Sequence, residues 1–267
     1  MAETSPEPEL LFELRGNDIA VVTFNRPRYR NTVSFSMWEQ FSAALDRLEN
    51  TTPVRMLILC GAEGYFGNGG DVKVPPARGN GALALVSRLE MGQRIIRRLH
   101  SLPIPTIAAV EGGAFGISWS IAMACDMIFA ADNARFGAPF IDFGVVPDGG
   151  SAWFLTRQLG RARAAEILFS GRTVSAAEAL SLGLVSRIVQ QGAAVAEAEA
   201  MGATMGQGNR QTIEMSKRLL AAAETGDLTS THALELAYGH MCQAGDEAMK
   251  AREAFKARSA AKKKAAE

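Results

Sequence analysis

Apolar and polar positions change their spacing several times along the chain. Leu10 to Leu14 and Ile19 to Phe24 read as two strands, joined by the turn Arg15-Gly16-Asn17-Asp18. Between Ser36 and Leu48 the apolar residues Met37, Phe41, Ala44, Leu45 and Leu48 fall near helical spacing. Met56 to Cys60 is a continuous apolar run between Pro53 and Gly61, as expected of a strand covered on both faces. A glycine-rich segment follows, and then an amphipathic helical pattern from Leu83 to Leu99. Pro105 to Val110 predicts a strand, Gly112 to Gly116 a tight turn, Ile117 to Cys125 a buried helix and Met127 to Ala130 another strand.

Strand, glycine turn, helix, strand is a βαβ pattern, which argues a parallel sheet with helices on its faces. From Ala162 onward the pattern is helical: Arg161 to Phe169, Ala176 to Leu182, Val195 to about Gly206, Thr212 to Ala223, Thr229 to Met241 and Asp246 to Lys264. The expected organisation is an α/β core over residues 1–200 and a helical part over 201–267.

Composition narrows the class. The 267 residues carry 28 Lys+Arg against 28 Asp+Glu, so a generally basic nucleic-acid binder is excluded. With 48% hydrophobic and 21% charged residues, the chain is globular and long enough to bury about 70–75% of its unfolded surface. Cys60, Cys125 and Cys242 are too few and too scattered for a disulfide framework or a zinc cluster, and a reduced cytoplasmic setting with no metal is expected. The start MAETSPEPEL does not read as a secretory signal, and the apolar stretch Ile117 to Ala131 is broken by Asp126 and too short to span a bilayer.

Two glycine segments hold the chemistry. Gly67-Asn-Gly-Gly-Asp71 and Gly112-Gly-Ala-Phe-Gly-Ile117 each follow a predicted strand, and the second opens onto an apolar helix whose first amides are unpaired. Neither is a phosphate loop, because the chain has no G-x-x-x-x-G-K-[ST] and no G-x-G-x-x-G with an acid at the required distance. Each alone reads as a turn. Two together, at strand ends of one sheet, suggest amides converging on one oxygen that develops negative charge, and a thioester enolate suits such a site.

The strings Phe24-Asn-Arg-Pro27 with Asn31, Phe66-Gly-Asn-Gly-Gly-Asp71, Ile107 to Gly112, Ala122 to Asp126, Ala134 to Gly137, Gly144-Val-Val-Pro-Asp148 and Gly183-Leu-Val185 occur in this order. With that spacing the chain resembles the crotonase (enoyl-CoA hydratase/isomerase) superfamily from about Leu11 to Arg258. The resemblance implies an α/β fold, a spiral of ββα units with a helical C-terminal part that mediates homotrimers or hexamers. It implies an acyl-CoA substrate, with coenzyme A carried by the substrate rather than held as a cofactor. By position, the oxyanion amides are those of Gly70 and Ile117. Coenzyme A is expected near Arg28, Tyr29 and Arg30, with Phe255 and Lys256 of the basic last helix nearby, and Asn68, Ser120 and Phe140 are expected to touch substrate.

Departures from the family pattern decide the expected reaction. Ser120 and Phe140 stand where hydratases carry their two glutamates. Water addition needs one group to orient water and another to deliver a proton, so an ordinary hydratase is not expected. Asp148 aligns with the acid of single-aspartate isomerase branches; its bland reading is a cap on a helix Ser151 to Leu159. Phe140, Val145, Val146 and Trp119 are expected to surround it with apolar surface. The resulting expectation is an enoyl-CoA isomerase that shuttles a proton through Asp148. Hydration through Asp148 alone, hydrolysis or dehalogenation on the same scaffold, and a non-catalytic CoA-binding subunit are the alternatives. Trp38, Trp119 and Trp153 are candidate acyl-pocket residues, Val74 to Gly81 a candidate wall, and Asp71 and Asp126 read as structural.

Overall fold

The computed structural model describes residues 7–16, 18–50, 54–71, 73, 82–205 and 210–264, with backbone alone for 82–88 and 261–264. The candidate wall Val74 to Gly81 lies outside the described residues. The chain divides into two compact units, Met1–Ala203 and Thr204–Glu267.

The first unit begins with β1 (Leu10–Arg15), β2 (Ile19–Phe24), α1 (Phe35–Asn50), β3 (Met56–Gly61), α2 (Ala82–His100) and β4 (Thr106–Val110). It continues with β5 (Gly113–Phe115), α3 (Ile117–Met123), β6 (Met127–Ala131), β7 (Arg135–Gly137), α4 (Ser151–Leu159) and α5 (Arg161–Ser170). Then come β8 (Thr173–Ser175), α6 (Ala176–Ser181), β9 (Arg187–Val189) and α7 (Ala194–Thr204). Six strands form one sheet in the order β1-β2-β3-β4-β6-β9, and β5-β7-β8 form a second. In the large sheet only β1 and β2 run antiparallel; every later pair is parallel. This is the α/β spiral that the resemblance implies.

Why the apolar runs became central strands is plain from burial. All five residues of β4 and the first five of β3 are buried, which requires cover on both faces. One face packs on α1 through Met37, Phe41, Leu45 and Leu48, all buried at the spacing that sequence periodicity picks out. Phe24 sits edge-on to Phe41 and Phe66, with ring centroids 5.7 and 5.5 Å away, so strand, helix and following loop share one aromatic contact.

Three parallel neighbours, β2, β3 and β4, end side by side, and their loops therefore converge beyond the carboxyl ends of the strands. Asn31 holds the first two loops together. It is fully buried, its Oδ1 accepts from the Arg26 N–H at 2.8 Å, and its Nδ2 donates to the carbonyls of Ala62 (3.0 Å) and Tyr65. Arg26 adds a second brace, an ion pair to Asp71 at 3.0 Å. Two residues read as structural are so: Asp126 accepts from the N–H and hydroxyl of Thr106, and Asp71 also accepts from the Lys73 N–H within its own turn. The Glu111 carboxylate accepts from the amides of Gly192 and Ala194 at the start of α7.

Several short elements differ from the sequence reading. Gly113–Phe115 is a strand rather than part of a turn, and β8 and β9 interrupt a region whose pattern is helical. Three-residue strands are too short to show alternation. Their existence follows from pairing partners far away in sequence.

The second unit holds α8 (Arg210–Thr225), α9 (Leu228–Gln243) and α10 (Asp246–Lys264). Asp227 caps α9, accepting from the Ser230 N–H, and this lowers its pKa. Leu220, Leu228, Leu236 and Met241 are exposed on this unit. Among the described residues, no helix is long and apolar enough to cross a membrane.

The Asn31 amide donates to two carbonyls, which a carboxylate cannot do. Asn31→Ala is expected to destabilise the protein by about 2–4 kcal/mol in urea unfolding. Asn31→Asp is expected to cost at least as much at neutral pH and to recover as pH falls toward about 4. Burial against carbonyl oxygens raises the folded-state pKa of the new acid, so its penalty grows as pH rises above the unfolded value. A pH-independent stability difference for Asn31→Asp would refute this account.

Candidate active site

The glycine segments are joined laterally. Gly67 donates to the Gly113 carbonyl and accepts from the Phe115 N–H, both at 3.0 Å, forming a parallel bridge to Ala114. Three residues on, Gly70 bridges Val33: the Val33 N–H donates to Gly69 O at 2.8 Å and the Asp71 N–H to Val33 O at 3.0 Å. That arrangement uses the Gly69 carbonyl and the Asp71 N–H and leaves the Gly70 N–H outside the ladder. At the other segment, Gly116 donates to Gly137 O, and α3 begins at Ile117. Neither the Gly70 nor the Ile117 amide has a protein acceptor among the described residues. Since α3 is only seven residues long, the relevant charge is that of two particular N–H groups rather than a long helix dipole.

Both amides belong to residues lining one cavity of about 550 Å³, and Asp148 lines it as well. A smaller recess of about 40 Å³ is bounded by the same three residues together with Trp38, Leu89 and Gly92. Gly70, Ile117 and Asp148 therefore line a shared space. Of the tryptophans, Trp38 reaches this recess. Trp119 is buried against Phe136, with ring centroids 5.7 Å apart, and Trp153 packs edge-on to Phe154.

Asp148 sits on a turn set by two left-handed glycines, Gly149 (φ 59°) and Gly150 (φ 85°). A side chain at Gly149 would overlap Ile117 Cδ1, so the turn lies directly against Ile117, which also lines the cavity. The Asp148 carbonyl accepts from the Ser151 N–H at 3.0 Å and lies 2.8 and 3.2 Å from the Ser151 and Ser120 hydroxyls. Those two hydroxyls are 2.6 Å apart. Gly150, rather than Asp148, is the N-cap residue of α4. Oδ1 of Asp148 is buried.

Around this carboxylate the expected apolar shell is incomplete. Phe140 is buried and lines the cavity with Val145. Val146 is 79% exposed, and Trp119 lies in the core; neither lines the cavity. Ser120 is fully buried behind the wall, bonded to the Asp148 turn, so the structure gives it a place beneath Asp148 rather than toward a ligand. Asp71 lines the cavity too, but its carboxylate is held by Arg26 and the Lys73 amide.

At the mouth, Arg28, Tyr29, Arg30 and Asn68 line the cavity and are exposed, and Lys73 joins them. Burial, the largest influence, raises the pKa of Tyr65, whose hydroxyl donates to Asn68 at 3.2 Å. Phe255 and Lys256 stand exposed on α10 of the second unit. Sequence reasoning passed over Ser118. It is 1% exposed, and its Oγ accepts from the Gly69 N–H at 3.1 Å. A polar residue one place beyond Ile117, inside an apolar helix, was the available signal. Chemically, the cavity offers two fixed N–H donors, one carboxylate and a basic, aromatic rim.

The family model described as "Enoyl-CoA hydratase/isomerase" matches residues 15–264. A probable enoyl-CoA hydratase of Bacillus subtilis is 36% identical over 204 residues, 76% of this chain and 78% of that protein. A short-chain-enoyl-CoA hydratase of Clostridium acetobutylicum is 30% identical over 237 residues, 86% of this chain and 88% of that one. Among solved structures, an enoyl-CoA hydratase from Polaromonas sp. JS666 has a TM-score of 0.88 at 28% identity, over 93% of this chain and 97% of that chain.

These findings overturn the isomerase expectation. It rested on the absence of two glutamates, yet relatives at 30% and 36% identity carry hydratase names. One carboxylate can both take and return a proton, so the absence of the two glutamates does not by itself exclude hydration. The chain belongs to the enoyl-CoA hydratase/isomerase family.

Proposed function

We propose that the protein adds water across the double bond of a 2-enoyl-CoA thioester as a one-carboxylate member of its family. The observation that carries the reading is the shared cavity, where two amides without a protein acceptor among the described residues meet Asp148. The hydratase names of the relatives support the reaction class. The exposed apolar side chains of the helical unit support assembly as a homotrimer or hexamer.

The steps follow from the groups available. The Asp148 carboxylate takes a proton from a water molecule, whose oxygen bonds to the β-carbon of the enoyl group. The double-bond electrons move toward the thioester carbonyl, and the enolate oxygen is held by the Gly70 and Ile117 amides. Asp148 then returns the proton to the α-carbon, so one water is added and the carboxylate is regenerated. Each amide donor is worth roughly 3–4 kcal/mol of barrier, and the acid/base group about 10²–10⁴ in rate. The rim residues Arg28, Tyr29, Arg30 and Asn68 contact coenzyme A, the guanidinium groups meeting its phosphates.

One carboxylate serving both steps implies that oxygen and hydrogen arrive on the same face. Turnover of trans-2-butenoyl-CoA in heavy-oxygen water should place solvent oxygen on the β-carbon. In deuterium oxide the new α-hydrogen should lie syn to that hydroxyl. Asp148→Asn should slow hydration by about 10²–10⁴-fold while leaving affinity for a saturated acyl-CoA within a few-fold. A product free of solvent oxygen would end the hydratase reading, and full turnover by Asp148→Asn would remove Asp148 from its role.

Because the second donor is a backbone N–H, side-chain loss at Ile117 should matter less than loss of the amide hydrogen. Proline is tolerated at the first position of a helix. Ile117→Pro should therefore lower kcat by about 10²–10³-fold beyond the effect of Ile117→Ala. Equal kcat for the two variants would show that the Ile117 amide does not hold the enolate.

A further inference from the structure

Ser118 has no part in the steps above, yet it is the link between the two donors. The bond from the Gly69 N–H to its Oγ joins the residue just before Gly70 to the residue just after Ile117. The space it occupies is made for it: a Cβ at Gly67 would overlap the Ser118 hydroxyl and come within 2.8 Å of Ser118 Cβ. Gly69 itself has φ 89°, a conformation with little intrinsic preference to hold the loop in place. Its amide is buried beneath the loop, and Ser118 is the acceptor that satisfies it.

We propose that Ser118 is a positioning residue for substrate-oxygen binding: its hydroxyl clamps the Gly69 amide and so sets the spacing between the Gly70 and Ile117 N–H groups. This rests on the reading of those amides as the enolate donors. Alanine or glycine at this position removes the acceptor and leaves the Gly69 amide to seek another, which shifts Gly70. Misplacement of a reacting contact by about 1 Å costs on the order of a hundredfold in rate. The ground-state thioester oxygen carries less charge than the enolate, so the loss falls on kcat more than on KM.

The test compares wild type, Ser118→Ala and Ser118→Cys, the last retaining the shape with a weaker acceptor. Each is assayed for hydration of trans-2-butenoyl-CoA and for binding of two probes, enolate-forming acetoacetyl-CoA and saturated butyryl-CoA. The clamp predicts a kcat loss of about ten- to a hundredfold in Ser118→Ala, with KM within about threefold and Ser118→Cys in between. It also predicts weaker acetoacetyl-CoA binding and a reduced enolate absorbance band, with butyryl-CoA affinity little changed. An unchanged kcat, or equal weakening of both probes, overturns the proposal, since a merely structural serine would act in one of those ways. If wild type hydrates nothing but still discriminates between the probes through Ser118, the hydratase reading falls and the clamp stands. If wild type does not prefer acetoacetyl-CoA to butyryl-CoA, the clamp falls whatever the turnover.

Discussion

The lateral hydrogen bonding between two glycine loops, from Gly67 to Gly113 and Phe115, is the constraint on which the candidate site depends. Parallel pairing of β3 with β4 brings the loop roots together but leaves their tips free. The bridge at Gly67 and Ala114 extends that pairing past the strand ends, and β5 carries it on to β7. Each such bond contributes only about 1 kcal/mol to stability. Their larger effect is geometric: they hold the two loops side by side, so that Gly70 and Ile117 line one cavity. An amide pair fixed before substrate arrives needs little reorganisation when charge develops on the oxygen.

A second constraint lies behind Asp148. The Ser120 and Ser151 hydroxyls gather around the Asp148 carbonyl, and Gly149 lets the turn lie flat against Ile117. A serine at 120 is short enough to stay in the core and hold backbone, where a glutamate would have to reach beyond it. Phe140, the other replaced glutamate position, presents a ring beside the place where a Gly116 side chain would stand. Neither replacement carries charge, and Asp148 and Asp71 are the carboxylates that line the cavity, Asp71 being held by Arg26. A less polar wall also strengthens whatever the two amides contribute.

Much of the architecture was legible because burial is periodic. Sequence spacing located α1 and α2 within a residue or two at each end, and the uninterrupted apolar runs marked β3 and β4. The short strands β5, β7, β8 and β9 were not, since three residues show no period and their partners are distant. At the site, Gly70, Ile117 and Asp148 were visible as glycine segments and a lone acid near strand ends. Ser118 shows in sequence only as a polar residue in an apolar helix, because its partner is a backbone amide that leaves no trace in residue type. The isomerase expectation failed for a related reason: the missing glutamates are visible in sequence, while the place of Asp148 depends on a turn set by Gly149 and Gly150.

The two segments also explain each other's composition. Ile117 is bulky, and the residue it would strike, at position 149, is glycine; Ser118 carries a hydroxyl, and the residue facing it, at 67, is again glycine. Volume absent from one loop is thus supplied by α3, and the supplied atoms are used. The Ile117 side chain packs the Asp148 turn into place, and the Ser118 hydroxyl ties down the Gly69 amide. The Ile117 side chain could not be exchanged with its facing glycine, because φ 59° at Gly149 is strained for any residue with a Cβ. The start of α3 therefore packs on both loops at once, and the shape of the cavity follows from the packing of those two side chains.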